Sequence, residues 1–254
     1  MKPWKLLEIK QGDALRNPCN VAVLPLGATE PHNLHLPYGT DNLETEMIGD
    51  RICEKAYNLG ARVLLLPCIP FGVNSNLMKF PMTISIRPST LDRIIWDIVK
   101  SLEHHNIQKI VLLNGHGGNS LKHTLREFYG RTKAFLSLVD WYSVAKDLYP
   151  QIFKEAGDHA GEMETSLGLY LFPELTDVSL ADDGVIKSSR FKAINKGWVQ
   201  VTRPFDLIST HCGIGNPAKA TAEKGRILVD VIAERIGNYI KELSDADMDH
   251  AFPF

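Results

Sequence analysis

The sequence predicts an α/β layered fold with a mainly parallel central sheet, and three observations lead there. Four short apolar runs recur along the chain, each nearly continuous rather than alternating, the pattern of strands buried on both faces. Segments with helical spacing lie between them. The resulting alternation of strand and helix is the signature of a layered fold with a parallel sheet. A chain of 254 residues with 44% hydrophobic and 23% charged content can bury a sizeable core without disulfide staples. It carries no repeat, low-complexity tract or Gly/Ser linker, so residues 1–254 read as one domain.

The elements follow in order. "VAVLPLG" (21–27) is the first strand. In "DNLETEMIGDRICEKAYNLG" (41–60), Leu43, Met47, Ile48 and Ile52 recur at helical intervals, and Gly60 suits a stop. "RVLLLP" (62–67) is the second strand. "STLDRIIWDIVKSLEHHN" (89–106) opens on Ser89 or Thr90 as N-cap and carries Leu91, Ile94, Ile95, Ile98 and Leu102. "KIVLLNG" (109–115) and "AFLSLVD" (134–140) are the third and fourth strands. "AEKGRILVDVIAERIGNYIKEL" (222–243) closes the chain with apolar positions at 227, 228, 231, 232 and 236.

Bulk properties narrow the function. A formal net charge of −2 and a pI near 6.5 give no polyanion-binding surface, so neither nucleic acid nor membrane is expected as a partner. Cys19, Cys53, Cys68 and Cys212 are scattered without a CxxC pair, which argues against a disulfide framework or a zinc ribbon. The first residues hold no apolar run of signal-peptide length, and no later run is long enough to span a bilayer. A reducing cytoplasm is the simplest expectation.

In open α/β sheets, ligands gather beyond the carboxyl ends of the strands. Three polar clusters fall at or downstream of such ends. In the first, "ATEPHNLHLPYGTDN" (28–42), an extended chain would send Glu30 and His32 to one side, with Pro31 stiffening the pair. Asp41 follows just before a helix, where an N-cap is the plainer reading. Carboxylate, imidazole and carboxylate together suit a divalent metal. His35 reads as a supporting donor or a packed loop histidine. In the second, "NGHGGN" (114–119), glycines leave room for a ligand beside His116, and Asn119 suits a helix N-cap; neither a P-loop lysine nor a dinucleotide fingerprint is present. In the third, "GDHAGEMETS" (157–166), His159 stands among glycines ahead of a helix. Glu162 and Glu164 lie about 200° apart on an ideal helix, so at most one faces a common point; Glu162 also fits simple complementarity to the helix dipole. Such a mixed set suits Zn, Mn or Fe. It points to hydrolysis, in which metal ions acidify water and a free His or Glu moves the proton, making His159 and Glu162 the catalytic candidates.

The three blocks, "EPHNLHLPYGTD" (30–41), "NGHGGN" (114–119) and "HAGEMETS" (159–166), occur in an order that resembles the creatininase (creatinine amidohydrolase-like) family, with weaker echoes in "FPMT" (80–83) and "GIGNPAKATAEKG" (213–225). The resemblance implies a three-layer α/β/α fold and two divalent metal ions per chain. It also implies hydrolysis of non-peptide C–N bonds through a metal-bound hydroxide, and a homo-oligomer, commonly a hexamer. Carried over by position, Glu30, Asp41 and His116 hold one metal, while His32, Asp41 and Glu164 hold the other. Asp41 bridges, and His159 is the proton shuttle. Family members also deformylate formamide intermediates or trim a cofactor-precursor peptide. Four departures stand out. Gly118 replaces a Glu and Glu155 replaces a Trp of true creatininases, which argues against creatinine as substrate. Asn33 and Met82 stand where the family favours glycine, and Asn33 is marked as a position bearing on substrate choice. Trp141 and Tyr142 are candidates for the pocket wall, although helix-packing aromatics are the commoner outcome. The rival readings are a dinuclear phosphoesterase, disfavoured because no Arg or Lys stands beside the three clusters, and a non-catalytic metal-binding member.

Overall fold

The sheet begins from its most buried strand. In the computed structural model, which describes residues 1–155 and 157–254, β1 (Val21–Leu26) pairs in parallel with β2 (Val63–Leu65) and β3 (Lys109–Asn114), and β3 pairs in parallel with β4 (Phe135–Asp140). The order is β2–β1–β3–β4. In register, Leu26 faces Asn114 and Asn114 faces Asp140, so the carboxyl ends of the three longer strands finish level. Three of the helices are long. They are α2 (Thr40–Asn58), α3 (Pro88–His104) and α9 (Ala222–Asp245). Shorter ones are α1 (Gln11–Arg16), α4 (Lys122–Phe128), α5 (Tyr149–Ile152), α6 (Glu162–Leu171), α7 (Lys192–Asn195) and α8 (Phe205–Ile208).

The period-two alternation of strand side chains divides the interior into two cores. Val21, Val23, Val63, Leu65, Val111 and Leu113 face Ile48 and Ile52 of α2, Leu167 of α6, and Leu228 and Ile232 of α9. Ala22, Leu24, Leu26, Leu64, Ile110 and Leu112 face Leu91, Ile95 and Val99 of α3 and Phe128 of α4. Helices therefore cover both faces in three layers, which is why the strands read as continuous apolar runs. β4 departs from that expectation. It is half-buried along its length and forms a sheet edge, with β3 its one partner among the described residues.

Helix ends show where local signals were misread. α3 starts on Pro88 at its first position, after Arg87, so Ser89 and Thr90 lie inside the helix; the fixed φ of proline suits that start. Asn119 is no cap either, since Leu121 precedes α4. α2 ends before Gly60, whose φ of +89° takes the chain into the left-handed region. Along α9 the inward stripe is Leu228, Val229, Ile232, Ile236 and Ile240, while Ile227 is turned outward. A short antiparallel ribbon, β5 (Gly157–His159) with β6 (Ile214–Gly215), lies apart from the main sheet and was not foreseen. No helix among the described residues is long and apolar enough to cross a membrane.

Candidate metal centre

The chain leaving β1 turns through Pro31 and doubles back to start α2, bringing Glu30, His32 and Asp41 together. The turn after β3 supplies His116, the ribbon supplies His159, and the first turn of α6 supplies Glu164. All six of these residues are buried or nearly so. Their ligand atoms form three groups that could each hold an ion, with members within 4.8 Å of one another: Glu30–Asp41–His116, His32–Asp41–Glu164, and Glu30–His32–His159. The first two are the ligand sets implied by the resemblance. The third leaves a ligand role open to His159 as well. Asp41 belongs to both of the first two groups, and its oxygens divide between them. Oδ1 lies 3.1 Å from His32 Nε2 and Oδ2 lies 3.0 Å from His116 Nδ1.

Each of the three imidazoles is fixed by a backbone carbonyl. His32 Nδ1–H donates to Glu30 O at 3.1 Å, His116 Nε2–H to Val73 O at 3.2 Å, and His159 Nε2–H to Pro31 O at 2.9 Å. The other nitrogen of each ring is thereby presented to the carboxylates, the tautomer a metal-ligating or proton-accepting histidine needs. Around His116, two asparagines brace the loop. Asn114 Nδ2 donates to His116 O, and Asn119 joins Gly27 O to Val73 N. Asn119 thus serves the loop rather than capping a helix.

The electrostatics call for positive charge at the centre. Burial would lower His32, but Asp41, then Glu164 and Glu30, carry it up to about 10. His116 is likewise raised against its burial, chiefly by Glu30 and Asp41. Burial lifts Glu164 to about 7 even against the pull of His32. Glu30 Oε2 and Asp41 Oδ2 are buried without a hydrogen-bond partner among the described residues, although His116 Nδ1 stands 3.0 Å from Asp41 Oδ2. Orphaned oxygens amid inward-facing imidazole nitrogens fit divalent cations bound through mixed N and O ligands. His159 differs from the other two rings. Burial and then the neighbouring His32 take it down to about 4, so its ring is neutral at pH 7 and its Nδ1, 3.7 Å from Glu30 Oε1, is a free acceptor.

Glu162, expected as a second catalytic group, lies elsewhere. Its carboxylate accepts from the N–H groups of Lys154 and Glu155 and pairs with Lys224 of α9. The two-residue offset on the helix turns it away as Glu164 turns inward. His35 is a packed loop histidine whose Nε2 shares a hydrogen bond with Thr165 Oγ1 at 2.7 Å. Trp141 is core, donating to Thr45 Oγ1 at 3.1 Å, whereas Tyr142 lines the cavity over the centre. Asn33 is corrected as well. Its φ is +55°, which explains why glycine serves there in relatives, and its amide turns away to Asp182 at 2.8 Å. At Gly118 a Cβ would stand 2.3 Å from His116 Nε2 and 2.4 Å from Val73 O, so no glutamate fits on this backbone. Glu155, in place of the family's tryptophan, pairs with Lys219 at 2.8 Å.

Above the centre opens a cavity of about 1050 Å³, lined among others by Glu30, His116, His159, Tyr142, Lys146 and Arg203. The expectation that no cation stands near the clusters fails in space. Lys146 arrives from the segment after β4, and Arg203, held by Asp158, from the segment before α8. A mostly apolar side pocket of about 410 Å³, with Tyr149, Phe153 and Met163 in its wall, adjoins it at His159 and Glu164. Sequence reading missed Glu44, a fully buried acid one turn beyond Asp41 on α2. The signal was an acid in register with the apolar positions 48, 52 and 56 of that helix.

Residues 6–240 match the family model described as creatinine amidohydrolase. The creatinine amidohydrolase of Pseudomonas putida is 29% identical, over 94% of each chain. The mycofactocin precursor peptide peptidase of Mycobacterium ulcerans is 26% identical, over 87% of this chain and 84% of its own. A provisionally named creatinine amidohydrolase of Bacteroides fragilis superposes with a TM-score of 0.89 at 34% identity, over 98% of this chain and 99% of its own. A Zn–Zn type creatininase mutant shares the fold at a TM-score of 0.80 and 24% identity, over 97% of this chain and 100% of its own.

Proposed function

The chain belongs to the creatininase family, and from that premise we propose that it is a metal-dependent amidohydrolase cleaving a C–N bond of a small cyclic or linear amide. The observation that carries the reading is the pair of ligand groups sharing Asp41, one carboxylate oxygen toward each. Divalent ions held by Glu30, Asp41 and His116 and by His32, Asp41 and Glu164 would supply acidified water and polarise the substrate carbonyl. His159 has its Nε2–H committed to Pro31 O, so Nδ1 takes the proton from the attacking water and delivers it to the departing nitrogen. Phe205, edge-on to its ring at 5.4 Å, holds the imidazole plane.

The closed site of Gly118 and the charged Glu155 do not favour creatinine. The size of the cavity and its apolar side pocket favour a substrate larger than a single small ring, and an amide within a short peptide is the second reading, in line with the peptidase relatives. Four free cysteines suit a reducing compartment. A homo-oligomer belongs to the same reading; exposed Phe191, Trp198 and Leu207 supply apolar surface for it.

A panel of cyclic amides, formamides, short peptides and phosphate esters, assayed after chelation and again with Zn, Mn or Fe restored, tests the proposal. Metal-dependent release of amine is expected. Turnover of phosphate esters alone, for which Lys146 and Arg203 would be the anion holders, would overturn it.

A further inference from the structure

Glu44 has no place in the mechanism above, yet its position is costly. It is fully buried, and neither carboxylate oxygen has a hydrogen-bond partner among the described residues. The nearby Tyr149 hydroxyl is committed, donating to Tyr142 O at 2.6 Å. The charged groups that act on it are Glu164 and Asp41, both of the same sign. Position 44 continues the inward stripe of Ile48, Ile52 and Ala56, where an aliphatic side chain would cost nothing. A buried acid with no partner is unfavourable, so its presence requires a compensating contact.

We infer that Glu44 is an additional oxygen ligand of the centre, engaged when a hard divalent cation occupies the His32–Asp41–Glu164 group. The inference rests on the metal-hydrolase reading. Glu44 lies outside the three ligand groups as they stand, but it is one helical turn beyond the bridging Asp41 on α2, and both of its oxygens are free among the described residues. Added carboxylate oxygen favours Mn²⁺ more than Zn²⁺, which is better served by imidazole.

The test is metal affinity, measured by competition with a chelating dye, on the wild type, Glu44→Gln and Glu44→Leu, together with thermal melts of the metal-free proteins. Wild type should bind two ions per chain; if it binds none, the metal-hydrolase reading itself fails. Granted that binding, both variants should lose about 10–100-fold in Mn²⁺ affinity at one of the two sites, with a smaller loss for Zn²⁺. Metal-free Glu44→Leu should melt no lower than wild type. Unchanged Mn²⁺ affinity overturns the inference, as does an equal loss for both ions. A loss accompanied by lower melting of both metal-free variants overturns it too, because a structural role alone would then account for it.

Discussion

His159 and Asp41 separate the two things this centre must do. His159→Ala removes the acceptor nitrogen while leaving both Asp41-sharing ligand groups intact. The expected outcome is two ions still bound and turnover reduced about 10²–10⁴-fold, read from metal analysis and steady-state rates on the same preparation. Loss of an ion would make His159 a ligand, the role open to it beside Glu30 and His32. Asp41→Ala should release both ions, since each of its oxygens faces a different imidazole; retention of one would refute bridging. The three clusters that meet here were legible in the sequence, in histidines beside glycine and carboxylates two apart, while their division into two ligand groups came from the resemblance to the creatininase family. What was not legible depends on direction. Glu162 is chemically equivalent to Glu164, and only the packing of α6 against α9 assigns one to Lys224 and the other to the centre. Glu44 was hidden by its helix, where an acid reads as solvated surface.

Two straps hold the elements that deliver these side chains. Asn33 bonds to the side chain and backbone of Asp182, and Asp182 in turn pairs with His211 at 2.6 Å. The turn after His32 is thus tied to the segments that carry Arg203 and the ribbon strand β6. Asn33→Gly keeps the left-handed backbone but drops the side-chain bonds. It should leave metal content unchanged while raising amide-exchange rates over residues 182–204. Asn33→Ala adds about 1–2 kcal/mol of backbone strain at φ +55° and should melt lower than the glycine variant; the reverse order would remove the strain argument. The second strap is Glu162–Lys224. Burial raises the carboxyl of Glu162, but Lys224 and the N–H groups of Glu155 and Lys154 outweigh it and hold it below the usual 4.5. A depressed folded pKa contributes stability above pH 4.5 that is lost as pH falls through the depressed value. Lys224→Met leaves a buried carboxylate without its cation and should destabilise by about 3–5 kcal/mol at pH 7. The deficit should shrink below pH 4.5, as followed by denaturant titration. None of this was visible beforehand, since partners 29, 62 and 149 positions apart leave no local pattern. The ribbon of three- and two-residue strands likewise falls below any periodicity. The long strands and helices were visible because both sheet faces are covered and the apolar runs had to be continuous.

At the scale of the whole molecule, the centre is drawn from four stretches that the sheet and its helices bring to one end. These are the exit of β1 with the start of α2, the exit of β3, the ribbon, and the first turn of α6. Strand order places β1 beside β3, so residues 30 and 116 meet although 86 positions separate them; the sequence predicts a parallel sheet but not that order. Because the ligands are not assembled in the unfolded chain, ions occupying these groups would bind the native state preferentially and link folding to their concentration. At free ion a hundredfold above Kd, each occupied site would add about 2.7 kcal/mol. The unpartnered oxygens of Glu30 and Asp41 would sharpen the effect, since the same ions would relieve their repulsion with Glu164. Melting the chelated protein across a series of free Mn²⁺ or Zn²⁺ concentrations should therefore give a midpoint that rises steadily with the logarithm of ion concentration once above Kd. Asp41→Ala should flatten that dependence, while His159→Ala should preserve it. A midpoint indifferent to metal in the wild type would show that the six residues are held together by packing alone and that the centre is no cation site.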